Sequence, residues 1–230
     1  KILIIDKKEI YLGSANFTWN SLNIHRNLIL AFSHSESAEF LLNHLEATDF
    51  NTHFLEQKKT LFIGHQEAEI LMFPSKTDWS EKIFNLIHGA KKCIKVAMYT
   101  WTRSDFAHSL VEAKLKGIDV EIVLDRSVVK RNPNPVVDTL LKASIQTYVY
   151  QGPGLLHHKF LWIDDETLLS GSPNWTQSAF TKNREYIFLL NTLTHPQKKI
   201  MDTLWKALKS ESKVINSRMI QADLSEIQTK

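Results

Sequence analysis

The chain has 230 residues, of which 43% are hydrophobic and 23% are charged, a composition typical of a globular protein and unlike that of a disordered or fibrous one. Its formal net charge of +3 suits phosphate-bearing substrates but is too small for a protein held on nucleic acid by charge alone. The single cysteine excludes an internal disulfide and a thiolate metal cluster, and no apolar run reaches the roughly 18 residues that span a membrane.

The chain contains an internal repeat, in which Lys1 aligns with Lys159 and the register continues without a gap. The polar and turn-forming residues that are also identical are Asp6 with Asp164, Gly13-Ser14 with Gly171-Ser172, Asn16 with Asn174, Thr18 with Thr176, and Arg26 with Arg184. Residues 1–58 are therefore predicted to be the C-terminal part of a first repeat. Residues 61–215 are predicted to be a complete second repeat, followed by a polar tail at 216–230.

The predicted elements begin with a hydrophobic strand that starts at Lys1 without an initiator methionine. We therefore expect the first repeat, and any targeting segment, to continue upstream. A strand at 27–32 and an amphipathic helix at 37–54 follow.

The second repeat alternates between strand and helix patterns. Strands are predicted at 67–73, 92–99, 118–125, 145–150, 158–164, 167–171 and 185–190, and helices at 79–89, 104–116, 134–143 and 195–209. Nearly continuous apolar strands such as 118–124 favour a mixed, mostly parallel sheet with helices on both faces. The predicted fold class is therefore α/β, built from two pseudo-repeats.

The strand at 158–164 carries the residues with the clearest chemical use. Alternate side chains of a strand point to the same side, so His157 and Lys159 form a pair on one face. The histidine can act as a nucleophile or a proton donor, and the lysine supplies a positive charge for a phosphate oxygen. Asn174 and Ser172 add neutral donors from a separate turn. Phosphoryl transfer requires positioning and charge stabilisation, and this set provides both.

A nucleophilic imidazole needs one ring nitrogen free and the other held by an acceptor. Glu185 is the predicted acceptor for Nδ1 of His157. The aligned residue in the first repeat is Asn27, whose amide oxygen accepts the same hydrogen bond without a negative charge. Two imidazoles with different partners would have different pKa values, which suits one nucleophile and one acid.

These residues resemble the motif of the phospholipase D superfamily, His-x-Lys-x4-Asp-x6-Gly-Ser-x-Asn. The second copy, residues 157–174, matches at every position, and the first copy matches from residue 1 to residue 16. The histidine of the first copy would lie two residues before Lys1, outside this sequence. The stretch from Val96 to Asp125 also resembles the core of that family.

The resemblance implies a phospholipase D-like fold in which two motifs face each other across one cleft. One histidine attacks phosphorus to form a phosphohistidine and the other protonates the leaving group, without a metal or another cofactor. In members with two motifs the first histidine is usually the nucleophile, which would make His157 the general acid. The remaining candidates are Asp164, which the motif groups with the catalytic residues, phosphate-binding Lys1, Ser14 and Asn16, and supporting Asp6 and Asn27.

The predicted function is a phosphodiesterase, with a phospholipid headgroup as the favoured substrate. The alternative is an endonuclease of the same superfamily, because the Gly-Ser-x-Asn-Trp/Phe-Thr form of both copies resembles the branch that contains nucleases and mitochondrial cardiolipin hydrolases. A cardiolipin synthase-like transferase and a non-catalytic binding module are less favoured. The missing half of the site is expected from upstream chain or, as the second choice, from a homodimer partner. Location is left open, with a cytoplasmic or membrane-associated protein slightly favoured.

Overall fold

The computed structural model describes residues 1–47, 56–129 and 134–216. The first-repeat fragment forms a three-stranded antiparallel sheet with two helices. Its elements are β1 (Ile2–Ile5), β2 (Glu9–Gly13), α1 (Trp19–Asn23), β3 (Ile29–Ser33) and α2 (Ser35–Glu46). Helix α2 begins two residues before the predicted helix at 37–54, and residues 48–55 of that prediction lie outside the described residues.

The second repeat contains all seven strands and all four helices predicted for it. Its strands are β4 (Lys58–Ile63), β5 (Gln66–Met72), β6 (Cys93–Met98), β7 (Asp119–Leu124), β8 (Gln146–Tyr150), β9 (Lys159–Ile163), β10 (Thr167–Gly171), β11 (Tyr186–Leu190) and β12 (Ser212–Ile215). Its helices are α3 (Ser80–Gly89), α4 (Ser104–Leu115), α5 (Arg126–Val129), α6 (Pro135–Lys142), α7 (Gln177–Thr181) and α8 (His195–Ser210). The unpredicted elements β2, β4, β12, α1, α5 and α7 are short or lie at an edge of a sheet, where the periodic signal is weak. The predicted boundary between residues 58 and 61 falls inside β4.

The large sheet has nine strands in the order β12-β8-β7-β6-β9-β10-β11-β5-β4. The predicted α/β class and mixed sheet are confirmed. Parallel pairing, however, joins only β6 to β7 and β7 to β8, and the other neighbours are antiparallel. The expectation of a mostly parallel sheet therefore holds for these three strands alone. The reason is that helices connect β6, β7 and β8, whereas β9, β10 and β11 follow one another through connections that reverse the chain.

Helices cover both faces of the large sheet, as predicted. Alternate residues of β6 enter different cores, with Val96 in the core beneath α3, α4 and α6 and Ala97 in the opposite one. The opposite core contains Trp205 of α8 and Leu41 of α2, so the first-repeat fragment packs against the second repeat. Among the described residues, no helix is long and apolar enough to cross a bilayer.

The internal repeat recurs in the backbone as well as in the sequence. The order β1-β2-α1-β3-α2 is matched by β9-β10-α7-β11-α8. Thr18 and Thr176 cap the equivalent helices α1 and α7 with φ of −123° and −127°. The turns between the first two strands of each set place Asp6 and Asp164 at φ of 52° and 54°. The two copies therefore share one local fold.

The close approach of β10 and β11 generates a stability prediction. A Cβ added to Gly171 would lie 2.3 Å from the carbonyl oxygen of Tyr186, and a backbone atom cannot move away as a side chain can. We expect Gly171→Ala to lower the free energy of unfolding by about 2 kcal/mol in urea denaturation. Gly89→Ala is the control, because its Cβ meets nothing within 4 Å and alanine favours the helix. Equal stability of the two variants would contradict the packing described here.

Candidate active site

His157 and Lys159 lie side by side at the start of β9, against the ring of Tyr99. The ring centroids of His157 and Tyr99 are 4.8 Å apart, and Lys159 Nζ lies 5.0 Å from the Tyr99 centroid. Lys159 Nζ also donates a hydrogen bond to the carbonyl oxygen of His157 at 3.0 Å. Both residues are buried, with 7% and 3% of their surfaces exposed. The strand thus places an imidazole and an ammonium group together, in the arrangement expected of alternate residues.

The backbone around His157 is joined to the first repeat by a short parallel bridge between Arg26 and Leu156. The Arg26 N–H donates to the carbonyl oxygen of Leu155, and the His157 N–H donates to the carbonyl oxygen of Arg26, both at 2.8 Å. The Arg26 side chain donates in addition to Glu211 and to the hydroxyl of Tyr150. The first repeat is therefore fixed directly beside the histidine of the second.

The side chain of Asn27 determines the tautomer of His157. Its Nδ2 donates to the carbonyl oxygen of Ser21 at 2.7 Å, which leaves Oδ1 as the atom that faces Nδ1 of His157 at 2.9 Å. An amide oxygen only accepts, so Nδ1 of His157 carries the proton and Nε2 has a free lone pair. The hydroxyl of Ser14 donates to the same oxygen at 2.9 Å and fixes it further.

The prediction that Glu185 accepts the hydrogen bond from His157 is therefore wrong. The bridge at Arg26 brings the acceptor of the first repeat to the histidine of the second, so the pairing crosses between the repeats. Glu185 accepts instead from Asn183 Nδ2 at 3.4 Å. It lies with Lys1 and Ser172 in the lining of a separate pocket between the two halves.

The surroundings of His157 keep its imidazole neutral. Burial is the main cause, followed by the positive charges of Lys159 and Lys1 and by His25, and together they lower the pKa of His157 from 6.5 to about 3. The neutral partner Asn27 provides no charge that would oppose this shift. At neutral pH the ring is thus a neutral base, with the proton on Nδ1 and a lone pair on Nε2.

Lys159 is also strongly affected by its surroundings. Burial, with the charge of Lys1, lowers its pKa from 10.5 to about 7, while Glu185 and Asp125 act in the opposite direction. The ammonium group is therefore close to losing its proton at neutral pH, and a bound phosphate would favour the charged form. Within the described ranges, no three His, Cys, Asp or Glu side chains converge to hold a metal ion.

The two predicted serines hold strand ends together. Ser14 Oγ accepts from the Leu28 N–H and donates to Asn27, and Ser172 Oγ accepts from the Tyr186 N–H at 3.0 Å. The single proton of the Ser14 hydroxyl is already used and the residue is fully buried, which contradicts its predicted role in binding phosphate. Ser172 still has a proton to donate, so its role stays a prediction.

Asn16 and Asn174 occupy equivalent turns after β2 and β10. Oδ1 of Asn174 is buried and has no hydrogen-bond partner among the described residues. Asn16 is exposed, and its backbone N–H donates to Ser21 Oγ at 3.0 Å. Lys1 directly precedes β1, and its side chain is exposed. Their contact with substrate stays a prediction.

Asp164 serves the backbone at the far end of β9. Its carboxylate accepts from the N–H groups of Lys91, Lys92 and Cys93, at 2.7 to 3.1 Å. Seven residues of extended strand separate it from His157, about 20 Å. It cannot touch a substrate bound at His157, so its placement among the catalytic candidates is corrected to a supporting role. Asp6 occupies the matching turn of the first repeat.

Sequence reasoning missed three residues that surround His157. Tyr99 follows β6 and contacts the ring, and His25 lies with its ring centroid 6.3 Å from that of His157. Asp125 follows β7 and donates no proton but accepts the Leu156 N–H at 2.9 Å. All three come from outside the motif, and the polar ends of β6 and β7 were the only signal available.

A neighbouring buried histidine generates a prediction about acid stability. His158 is fully buried, neither ring nitrogen has a partner among the described residues, and burial lowers its pKa from 6.5 to about 3. Between these values the unfolded chain binds a proton that the folded chain excludes, so stability falls as the pH drops through this window. We expect His158→Leu to lose less stability than the wild type between pH 7 and pH 5 in urea denaturation. The exposed His65→Leu is the control, and an unchanged pH dependence in His158→Leu would contradict the prediction.

Comparison with known proteins agrees with this geometry. The family model described as "Cardiolipin synthase, PLD-like domain" matches residues 83–212, more than half of the chain. A mitochondrial cardiolipin hydrolase from Xenopus laevis is 26% identical over 120 residues, which cover 51% of this chain and 57% of that protein. A phospholipase D from Rickettsia prowazekii is 32% identical over 108 residues, 47% of this chain and 52% of that protein. The chain matches about half the length of these relatives.

Solved structures share the fold. Nuc from Salmonella typhimurium, described as a phospholipase D family member, has a TM-score of 0.59 and 22% identity over 66% of this chain and 99% of its own. A phosphatidylserine synthase from Haemophilus influenzae has a TM-score of 0.68 and 12% identity over 98% of this chain and 67% of its own. The motif copies, the mixed sheet and the matched domain lead to one conclusion: the chain belongs to the phospholipase D-like family.

Proposed function

We propose that this chain carries one half of the catalytic site of a phosphodiesterase that works through a phosphohistidine intermediate, with a phospholipid as the favoured substrate. The observation that supports this most directly is the neutral His157 ring, which has Nδ1–H fixed by Asn27 and lies beside the buried Lys159. A free imidazole nitrogen next to a cation is suited to attack a phosphorus atom whose oxygens the cation binds.

In the proposed reaction, Nε2 of His157 attacks phosphorus and the bond from phosphorus to the leaving oxygen breaks. The leaving oxygen takes a proton from a donor in the other half of the site. Water then attacks the phosphohistidine, gives up its proton to that same group, and releases His157. Glu185 is the second-repeat residue that aligns with Asn27. Its carboxylate would hold the donor of the other half and favour the protonated form of that donor.

This assignment reverses the role that the family resemblance alone implies for His157. A general acid must hold a proton at working pH, whereas burial lowers the pKa of His157 to about 3. The neutral Asn27 adds no negative charge that would oppose this shift, and the backbone hydrogen bond with Ser14 opposes it less than burial and the nearby positive charges favour it. We therefore propose that His157 is the nucleophile.

The source of the missing half is proposed from the exposed face of the small sheet. Six exposed apolar residues there align with six buried ones in the core beneath α3, α4 and α6. The pairs are Leu3 with Leu161, Ile5 with Ile163, Tyr11 with Leu169, Phe17 with Trp175, Leu22 with Phe180, and Ile29 with Ile187. In a second copy of this chain, the layer formed by α3, α4 and α6 already packs on that copy's own β9 to β11, so it is not free to cover the small sheet. Upstream polypeptide folded in the same way is therefore favoured over a homodimer.

The substrate class rests on the relatives and on charge. The Rickettsia prowazekii relative is named a phospholipase D and the Xenopus laevis relative a cardiolipin hydrolase. The net charge of +3 is low for a protein that binds a long polyanion. A nuclease remains the second candidate, because both motif copies have the Gly-Ser-x-Asn-Trp/Phe-Thr form.

The nucleophile can be tested by trapping. Full-length protein would be incubated with a phosphodiester labelled at phosphorus, quenched at alkaline pH and digested with trypsin. We expect the label on His157 within the peptide 143–159, assigned by tandem mass spectrometry. His157→Gln should lose the label and at least roughly 1,000-fold in kcat.

His65→Gln, in the exposed turn between β4 and β5, is the matched control and should behave as the wild type. Full turnover by His157→Gln would overturn the proposed function. A label on another residue, with turnover intact, would overturn only the role of nucleophile.

Substrate class is tested by side-by-side turnover of phosphatidylcholine vesicles, cardiolipin vesicles and single-stranded DNA. We expect hydrolysis of lipid, and we expect it to continue in EDTA because Lys159 supplies the positive charge. Turnover of DNA alone, falling steeply with salt, would support the nuclease. A strict requirement for Mg²⁺ or Zn²⁺ would contradict the proposed chemistry.

A further inference from the structure

We propose that Asp125, directly after β7, is a positioning residue of this site that fixes the chain in front of His157 and provides a negative charge for Lys159. The inference rests on the proposed function and adds a residue to it. It begins from a feature that the motif does not explain, a fully buried carboxylate at the end of β7.

Both oxygens of Asp125 accept backbone hydrogen bonds. Oδ1 accepts from the Ser127 N–H at 2.8 Å, which closes the turn after β7. Oδ2 accepts from the Leu156 N–H at 2.9 Å, across the gap between two segments that are distant in sequence. Leu156 is the residue directly before His157. Because an ionised carboxylate forms strong hydrogen bonds with N–H groups, Asp125 fixes the point from which the catalytic side chain projects.

Arg126, the residue after Asp125, also binds the loop that precedes His157. Arg126 Nη2 donates to the carbonyl oxygens of Gly152 and Gly154. The turn after β7 therefore holds the loop at 152–156 at two places, through a main-chain N–H and through carbonyl oxygens.

The other side of this loop is held by the first repeat. The Leu155 N–H donates to His25 Nδ1 at 3.1 Å, and the Arg26 N–H donates to the carbonyl oxygen of Leu155 at 2.8 Å. Asp125 provides the opposing contact from the second repeat. Removal of its carboxylate would remove the second-repeat contact to the Leu156 N–H, directly before His157. A displacement of the nucleophile by about 1 Å costs roughly 100-fold in rate.

The charge of Asp125 also acts on Lys159. The titratable groups that face Lys159 come from several segments. They are Lys1 before β1, Glu185 before β11, His157 before β9, Tyr99 after β6, and Asp125 after β7. Burial and Lys1 lower the pKa of Lys159, and Glu185 and Asp125 are the two carboxylates that oppose them. Loss of one of these would lower the pKa further, so that Lys159 loses its proton at a lower pH.

The test compares Asp125→Asn with Asp125→Glu in the full-length protein, with kcat and KM measured across pH on the substrate that the wild type turns over. Asp125→Asn keeps the shape but presents an N–H₂ group to an N–H donor and removes the charge. We expect kcat to fall about 100-fold with a smaller change in KM, and the alkaline limb of kcat/KM to move to lower pH. Asp125→Glu keeps the charge in a displaced position, so kcat should fall while the alkaline limb stays in place.

Glu121→Gln is the matched control, since Glu121 is a buried carboxylate on the same strand that binds Trp205 and Lys209 instead. It should lose stability without a change in the alkaline limb. Asp125→Asn with wild-type kcat and pH profile, or with losses of activity that only follow its melting temperature, would overturn the inference. If Asp125→Asn does not fold, Asp125→Glu decides, because wild-type kcat in that variant is incompatible with a positioning role. A wild type without phosphodiesterase activity would overturn the proposed function instead.

Discussion

The hydrogen bond between Asn27 Oδ1 and His157 Nδ1 is the interaction on which the site depends. It joins two repeats that are far apart in sequence and fixes the tautomer of the one motif histidine that this chain contains. The backbone bridge at Arg26 places the amide, and the bonds from Asn27 to Ser21 and Ser14 orient it. If the repeats separated, His157 would lose its partner and the backbone contact to its N–H. The tautomer of the His157 ring therefore depends on the packing of the two repeats against each other.

The crossed pairing gives each half of the site a different electrostatic character. His157 faces a neutral amide and lies next to the buried cation Lys159, so the ring stays unprotonated. The corresponding acceptor on the other side is Glu185, a carboxylate. A neutral base and a group favoured in its charged form are what a nucleophile and an acid require. Asn27 and Glu185 are the aligned residues of the two repeats, and they differ in charge.

Much of this could be predicted from the sequence because the signals were local. The spacing of His157 and Lys159 on one strand, the repeat of the motif and the apolar periodicity of 118–124 all depend on neighbouring residues. The partner of His157 could not be predicted, because alignment shows that Asn27 and Glu185 are equivalent but not which histidine each one faces. That depends on the parallel bridge between the repeats, a long-range contact. The positions of Asp125 and Tyr99 near His157 could not be predicted for the same reason, because the order of strands in the sheet brings the ends of β6 and β7 close to β9. The mostly parallel sheet was overestimated because buried antiparallel strands are as continuously apolar as parallel ones.

The most direct test of the central claim is the protonation of the two ring nitrogens of His157, read from long-range ¹H–¹⁵N correlation NMR of the full-length protein. The crossed hydrogen bond predicts a proton on Nδ1 and a bare Nε2 from about pH 5 to about pH 8, and loss of this pattern in Asn27→Ala. A proton on Nε2, or an imidazolium at neutral pH, would contradict the account.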